Sequence, residues 1–189
     1  MRIITGSARG VNLITLEGEA TRPTAARTKE AVFSMIQFDI EGRKILDLFS
    51  GSGQLALEAL SRGASEAVIC DSSREAISII KKNAEKTRLA SKCRINLCDA
   101  NTMIGRLGEE KFDIVFLDPP YALNLIPEVL KKLLEYGRLK ITSTVICETA
   151  EERDVFGNDS DLAANFTVKR ASRYGAAFVT ILPPKENQK

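Results

Sequence analysis

Four consecutive residues, Asp118-Pro119-Pro120-Tyr121, combine types that could hold and align a planar amine. An exocyclic amine needs hydrogen-bond acceptors in its own plane, and the Asp118 carboxylate and the Pro119 carbonyl can supply them. The two prolines fix φ and donate no N–H, so the acceptors stand on a stiff support. The Tyr121 ring can stack on the base that carries the amine, as flipped bases are held. Asp-Pro is also a common turn initiator, and a strand stop followed by a turn accounts for the prolines. It leaves the Asp and the Tyr unexplained.

Three more acids lie in or just after apolar runs. Asp47 sits within 44–49, Asp71 ends 67–71 and Asp99 follows 94–98. Between the first two comes Ser50-Gly51-Ser52-Gly53. Gly51 and Gly53 with Ala56 fit a dinucleotide fingerprint, and Asp71 stands where such folds hold a ribose hydroxyl. A nicotinamide-dependent dehydrogenase is therefore the competing reading. The remaining acids favour S-adenosylmethionine. Asp47 could sit near its ammonium group, Asp71 take the ribose diol and Asp99 accept from the adenine amine. Phe49, Gly51, Gly53 and Asp118 complete the expected cofactor contacts. This cofactor has no pyrophosphate, so the glycines would serve close backbone approach rather than anion binding.

These residues need a scaffold that gathers strand ends. Residues 112–117, Phe-Asp-Ile-Val-Phe-Leu, read as a buried strand that the two prolines terminate. From Lys44 onward, strands and helices alternate. Strands are expected at 44–49, 67–71, 94–98, 112–117 and 143–148, the last ending in Glu148. Helices are expected at 54–61, 73–88 and 125–136. Alternation of this kind implies a parallel sheet with right-handed crossovers and helices on both faces. Ligands then bind at the carboxyl ends of the strands. Residues 166–171 and 176–182 read as a closing hairpin, and 151–161 as a polar loop. Ahead of the alternation, residues 2–16 read as two short strands around a Gly6–Gly10 turn. A helix follows to about Phe38, with Thr24 as its N-cap.

Composition narrows the classes. The chain has 189 residues, 44% hydrophobic and 28% charged, which suits one globular domain with a small appendage. No apolar stretch approaches the roughly 20 residues that span a bilayer, and no signal peptide is visible, so a cytoplasmic protein is expected. There is no histidine, and the four cysteines form no C-x-x-C, which argues against zinc and against Ser-His or Cys-His chemistry. Free thiols in a reducing compartment are expected. Net charge is only +2, but residues 1–29 hold five basic side chains against two acidic ones. That cluster is the better candidate for phosphate contacts.

The motifs Arg2-Ile3-Ile4, Thr21-Arg22-Pro23-Thr24, Asp47-Leu48-Phe49-Ser50-Gly51-Ser52-Gly53 and Phe116-Leu117-Asp118-Pro119-Pro120-Tyr121 carry a resemblance over nearly the whole chain. It resembles the RsmD family, bacterial methyltransferases acting on the exocyclic N2 of a guanine in small-subunit ribosomal RNA. Thr5, Val11 and Ala26 stand where that family usually has a glycine, a basic residue and an acid. The resemblance implies a Rossmann-like class I S-adenosylmethionine-dependent methyltransferase fold. Its seven-stranded, mostly parallel sheet would end in an antiparallel hairpin and carry a small N-terminal hairpin and helix. Residues 1–40 would then be an RNA-docking extension and 41–189 the methyltransferase domain. Asp118, Pro119, Pro120 and Tyr121 would be catalytic, and Arg2, Arg9, Arg22, Thr24 and Arg27 would contact RNA. The expected form is a monomer without metal, acting on a partly assembled small subunit. Alternatives are adenine N6 or cytosine N4 as the target amine, or a non-catalytic RNA-binding module of the same fold.

Overall fold

Residues 112–117 are shielded on both sides, because alternate side chains of this strand enter two different apolar clusters. Ile114 and Phe116 face one, and Phe112, Val115 and Leu117 face the other. The structure, a computed structural model, describes residues 1–16 and 23–186. Its strands are β1 (Lys44–Asp47), β2 (Glu66–Asp71), β3 (Cys93–Leu97), β4 (Phe112–Leu117), β5 (Leu139–Thr149), β6 (Arg170–Tyr174) and β7 (Ala177–Leu182). They form one seven-stranded sheet in the order β3-β2-β1-β4-β5-β7-β6. The first five run parallel, while β7 pairs antiparallel with both β5 and β6. The helices are α1 (Pro23–Met35), α2 (Gln54–Ser61), α3 (Arg74–Lys86), α4 (Ala100–Arg106), α5 (Ile126–Glu135) and α6 (Ser160–Ala164).

Side-chain alternation assigns the two faces. Ile45, Ile69, Phe116 and Ile146 pack on one face with Phe33 of α1, Leu57 and Leu60 of α2, and Ile77 and Ile80 of α3. Leu46, Val68, Val115 and Val145 pack on the other with Met103 and Ile104 of α4, and with Val129, Leu130 and Leu133 of α5. The strand order reverses between β1 and β4, and at such a switch the loops beyond the carboxyl ends diverge to leave a crevice. This is the Rossmann-like architecture expected above. All four cysteines are free thiols. No helix among the described residues is long and apolar enough to cross a membrane.

Several local expectations change. The two N-terminal strands reduce to a single bridge between Arg2 and Asn12, supported by Ile3 N–H donating to the Val11 carbonyl at 3.0 Å. α1 begins at Pro23, so Thr24 lies in its first turn and is not the cap; proline suits that opening position because its missing N–H would have no helical partner anyway. α1 ends at Met35, leaving Phe38 outside the helix and exposed. α4 and α6 were not foreseen. Phe166 forms only an isolated bridge with Pro184, and the first hairpin strand starts at Arg170.

The N-terminal segment shares the core of the sheet. Ile3, Ala8 and Leu13 join the cluster that holds Phe33 and Phe116. Its backbone is held by side chains of α2 and α3. Glu58, fully buried, accepts the Ile4 N–H at 2.7 Å and the Thr5 N–H at 3.1 Å. Its charge is balanced by Lys29 of α1 at 3.5 Å and by Arg62 at 2.8 Å. Lys29 also donates to the Arg2 carbonyl, and burial lowers its pKa against the pull of Glu58. Ser61 Oγ donates to the Thr5 carbonyl and accepts from the Ala8 N–H. Gly6 comes so close that a Cβ would lie 1.7 Å from the Ser61 carbonyl oxygen, and its φ of +88° also requires glycine. Asn83 of α3 accepts from the Ile14 N–H and donates to the carbonyls of Ile14 and Ser52.

Glu58→Ala should therefore cost about 3–5 kcal/mol of unfolding free energy, because it leaves the Lys29 ammonium buried without its counter-charge. Urea unfolding measures this, and a loss below about 1 kcal/mol would refute the clamp, since that is the size of an exposed ion pair.

Candidate functional site

A cavity of about 610 Å³ lies at the carboxyl edge of the sheet, over the point where strand order reverses. Its apolar wall includes Leu48, Phe49, Leu125 and Val129, and its polar wall includes Asp71, Asp99, Asn101, Asp118 and Glu148. Met1 and Leu16 also line it, so the N-terminal segment forms part of its rim.

The turn after β1 shapes the floor. Gly51 and Gly53 adopt φ of +53° and +80°. The Gly51 N–H points across to Asp71 Oδ2 at 2.9 Å, and the Ser73 N–H binds Oδ1 at 2.8 Å. Two backbone donors thus hold the Asp71 carboxylate at the cavity wall, with further lone pairs available to a ligand.

Two expected cofactor contacts do not reach the cavity. Asp47 is buried behind the turn, where its Oδ2 accepts the Ser50 hydroxyl at 2.7 Å and the Ala56 N–H at 3.3 Å. Gly53 begins α2 and faces α3, where a Cβ would stand 3.3 Å from two carbons of Ile80. Both residues brace the loop from behind the cavity wall. Burial pushes the Asp47 carboxyl up to about 7, against the hydrogen bonds it accepts.

Asp99 lines the cavity and also caps α4. Its Oδ1 accepts the Thr102 N–H at 2.9 Å and its Oδ2 the Thr102 hydroxyl at 2.6 Å. These bonds hold its carboxyl below the usual carboxylate range. Asn101, which the sequence reading did not single out, stands on the first turn of the same helix. Its Nδ2 donates to Glu128 at 2.8 Å, while its Oδ1 is buried without a hydrogen-bond partner. Gln54, also on the cavity wall, has a buried Oε1 in the same condition.

Asp118, Pro119, Pro120 and Tyr121 all line the cavity, as their order after β4 leads one to expect. Tyr121 begins a short 3-10 turn, and its hydroxyl donates to Glu148 Oε1 at 2.6 Å. Burial raises the Glu148 carboxyl, and the Tyr121 bond opposes that shift. Glu148 had been visible only as the end of a strand. A smaller cavity of about 40 Å³ adjoins on the α1 side, lined by Lys29, Gln54, Asp118 and Glu148 among others.

Of the expected RNA contacts, Arg2, Arg9 and Arg27 do not line this cavity. All three are exposed. Arg22 and the Thr24 side chain lie outside the described residues. No cluster of three or more His, Cys, Asp or Glu among the described residues could hold a metal ion.

A family model described as conserved hypothetical protein 95 matches residues 1–182. The Bacillus subtilis protein YlbH is 33% identical over 183 residues, 96% of this chain and 97% of its own. A Haemophilus influenzae protein named ribosomal RNA small subunit methyltransferase D is 34% identical over 155 residues, covering 81% of this chain and 80% of its own. Among solved structures, the Escherichia coli yhhF protein is similar with a TM-score of 0.85 and 29% identity over 98% of both chains.

Asp47 gives the floor of the site a pH signature. Its carboxyl holds a proton up to about pH 7 in the folded state, whereas the unfolded chain releases it near pH 4. The contribution to stability is full below about pH 4, is lost as pH rises to about 7 and is constant above. Asp47→Asn keeps an acceptor for Ser50 and Ala56 but does not titrate. Thermal unfolding of the two proteins should therefore show the variant gaining on the wild type between about pH 4 and 7. Parallel curves across that window would show that Asp47 is charged in the folded protein.

Proposed function

The chain belongs to the RsmD family, which the conserved hypothetical protein 95 model describes, and from that membership and its cavity we propose that it methylates small-subunit ribosomal RNA. The donor is S-adenosylmethionine, and the acceptor is the exocyclic N2 amine of one guanine. The observation that carries this reading is the convergence of two acids on one cavity. Asp71 is held there by the Gly51 and Ser73 amides, and Asp118 is followed by Pro119, Pro120 and Tyr121.

The residues fit the donor. The Asp71 carboxylate accepts from its ribose hydroxyls, and Asn101 Oδ1, buried and unpartnered, accepts beside Asp99 from its adenine amine. Phe49 and Leu48 supply apolar wall, and Gly51 allows close backbone approach. When bound, S-adenosylmethionine brings an electrophilic methyl, and the protein's part is to align the acceptor.

The guanine leaves its stack to reach the site. Asp118 and the Pro119 carbonyl accept the two N–H bonds of N2, which turns the nitrogen lone pair toward the donor side of the cavity. Tyr121 lies against the base, and the surplus proton passes to Asp118 or to water. Exposed Arg2, Arg9 and Arg27, with Arg22 and Thr24 of the same segment, contact phosphates around the target. Such contacts position the RNA without reading its sequence. Site choice then rests on the shape of a partly assembled small subunit, on which residues 1–40 dock. The protein works as a monomer in the cytoplasm, where subunits assemble.

Asp71→Ala should weaken S-adenosylhomocysteine binding about ten- to hundredfold, the loss expected for a charge-assisted hydrogen bond of about 1.5–3 kcal/mol. Isothermal titration measures this, and unchanged affinity would overturn the cofactor assignment. Asp118→Ala should cut turnover about a hundredfold through misalignment while cofactor binding persists.

Replacing Arg9 and Arg27 together by Ala should weaken binding to small-subunit particles. It should also flatten the slope of log affinity against log salt by about 0.7–0.9 per lost phosphate contact. Equal methylation rates on naked ribosomal RNA and on particles would remove the assembled subunit from the proposal.

A further inference from the structure

Glu148 has no part in the alignment of the amine described above, yet it lines the same cavity as Asp118 and the smaller one beside it. β4 and β5 run parallel with Leu117 opposite Cys147, so the next residue on each strand is Asp118 on one and Glu148 on the other. Adjacent strands lie about 4.8 Å apart, and residues in register point to the same face. The two residues therefore stand side by side at one edge of the sheet, and both line the smaller cavity. Tyr121 then ties the pair together. It follows Asp118 by three residues, and its hydroxyl holds Glu148 Oε1 at 2.6 Å. That bond fixes the carboxyl plane and leaves Oε2 as the oxygen to meet a planar base whose amine is held at Asp118.

We propose that Glu148 is a specificity residue whose second oxygen accepts the ring N–H next to the reacting amine, so that the site admits guanine and rejects adenine and cytosine. The inference rests on the reading that the amine of a base is the methyl acceptor. The chemistry is a matter of one atom. In guanine, one of the two ring nitrogens flanking the N2 amine, N1, carries a hydrogen and donates, while N3 on the other side is bare. In adenine and cytosine, the ring nitrogen beside the amine is bare and accepts. An ionised carboxylate only accepts, so it pairs with the first arrangement and sets lone pair against lone pair in the second. A site with a buried polar group that the wrong ligand leaves unpaired discriminates strongly.

The role requires Glu148 to be ionised, and its surroundings bear on that. The groups facing it are the Tyr121 hydroxyl from the turn after β4, Asp118 at the end of β4, Lys29 of α1 across the smaller cavity and Asp154 beyond β5. Its neighbour on β7 is the apolar Val179. Burial favours the protonated form, whereas the Tyr121 hydroxyl favours the carboxylate. Tyr121 therefore does more than stack, and Tyr121→Phe, which keeps the ring, should still impair discrimination.

The test begins by mapping the methylated nucleoside in small-subunit RNA treated with the wild-type enzyme. Particles are then reconstituted with RNA carrying either guanine or 2-aminopurine at that position. 2-Aminopurine keeps the N2 amine but has bare ring nitrogens on both sides of it, N1 included. The wild type should methylate it roughly ten- to hundredfold more slowly than guanine. Glu148→Gln presents an N–H in place of the acceptor. It should lose rate on guanine and flatten or reverse the preference, with S-adenosylhomocysteine affinity unchanged. Glu148→Asp retains a carboxylate and should keep the preference for guanine at reduced rate.

Equal wild-type rates on the two bases overturn the inference without recourse to any variant, as does an unaltered preference in Glu148→Gln. Either result leaves the methyltransferase reading standing. If the wild type methylates no guanine N2, that reading falls first and the role of Glu148 falls with it.

Discussion

A single buried carboxylate holds the two parts of this molecule together. Glu58 of α2 receives two backbone N–H groups from residues 4 and 5, an ammonium from α1 and the guanidinium of Arg62 just past its own helix. A charge so fully removed from water is tolerable only when each of its lone pairs is met. That demand fixes where the N-terminal segment runs, how close Gly6 must lie to Ser61 and where α1 sits against the sheet. Arg62 is held in turn, its guanidinium 4.7 Å from the centre of the Phe33 ring. The part of the rim that Met1 and Leu16 contribute is therefore set from below by α2 and α3.

The cavity itself follows from topology. Strands β1, β2 and β4 deliver Asp71, Asp118 and the glycine turn to one edge because they are parallel neighbours. The turn must approach Asp71 closely, and it is braced from behind by Asp47, a carboxyl kept in the interior at the expense of its charge. The binding surface is thus made by residues facing forward and stiffened by residues facing back, both coming from the same short stretch.

Strands and helices whose burial is one- or two-sided were legible in the sequence. Residues 112–117 and 54–61 appear in the structure with the bounds their apolar pattern predicts. What the pattern could not show was direction. Asp47 and Gly53 belong to the same motif as Gly51, but whether a side chain faces a cavity or its backing depends on packing that lies far away in sequence, Ile80 for one. α4 escaped because Asp99 was read as a ligand, although an acid three residues before Thr102 is equally an N-cap, and the helix is only seven residues long. With the helix went Asn101. Glu148 was seen as a strand end, but its partner Tyr121 lies 27 residues earlier, beyond any local pattern.

The clamp also dictates an order of events during synthesis. Ile4 is secured by a residue 54 positions later, and Ile14 by one 69 positions later. Such distant closures carry an entropy cost that is met only once both ends exist. Residues 3–14 are therefore made well before the helices that hold them, and Ile3, Leu13 and Phe33 stay uncovered while α2 and α3 emerge. Their docking, which completes the rim, waits for Glu58 and Asn83 to be made. A nascent chain interrupted before Glu58 would carry the glycine turn and the first strand of the sheet, together with an apolar leading segment that has nothing to fasten to. Chaperones bind and proteases cut segments of that kind.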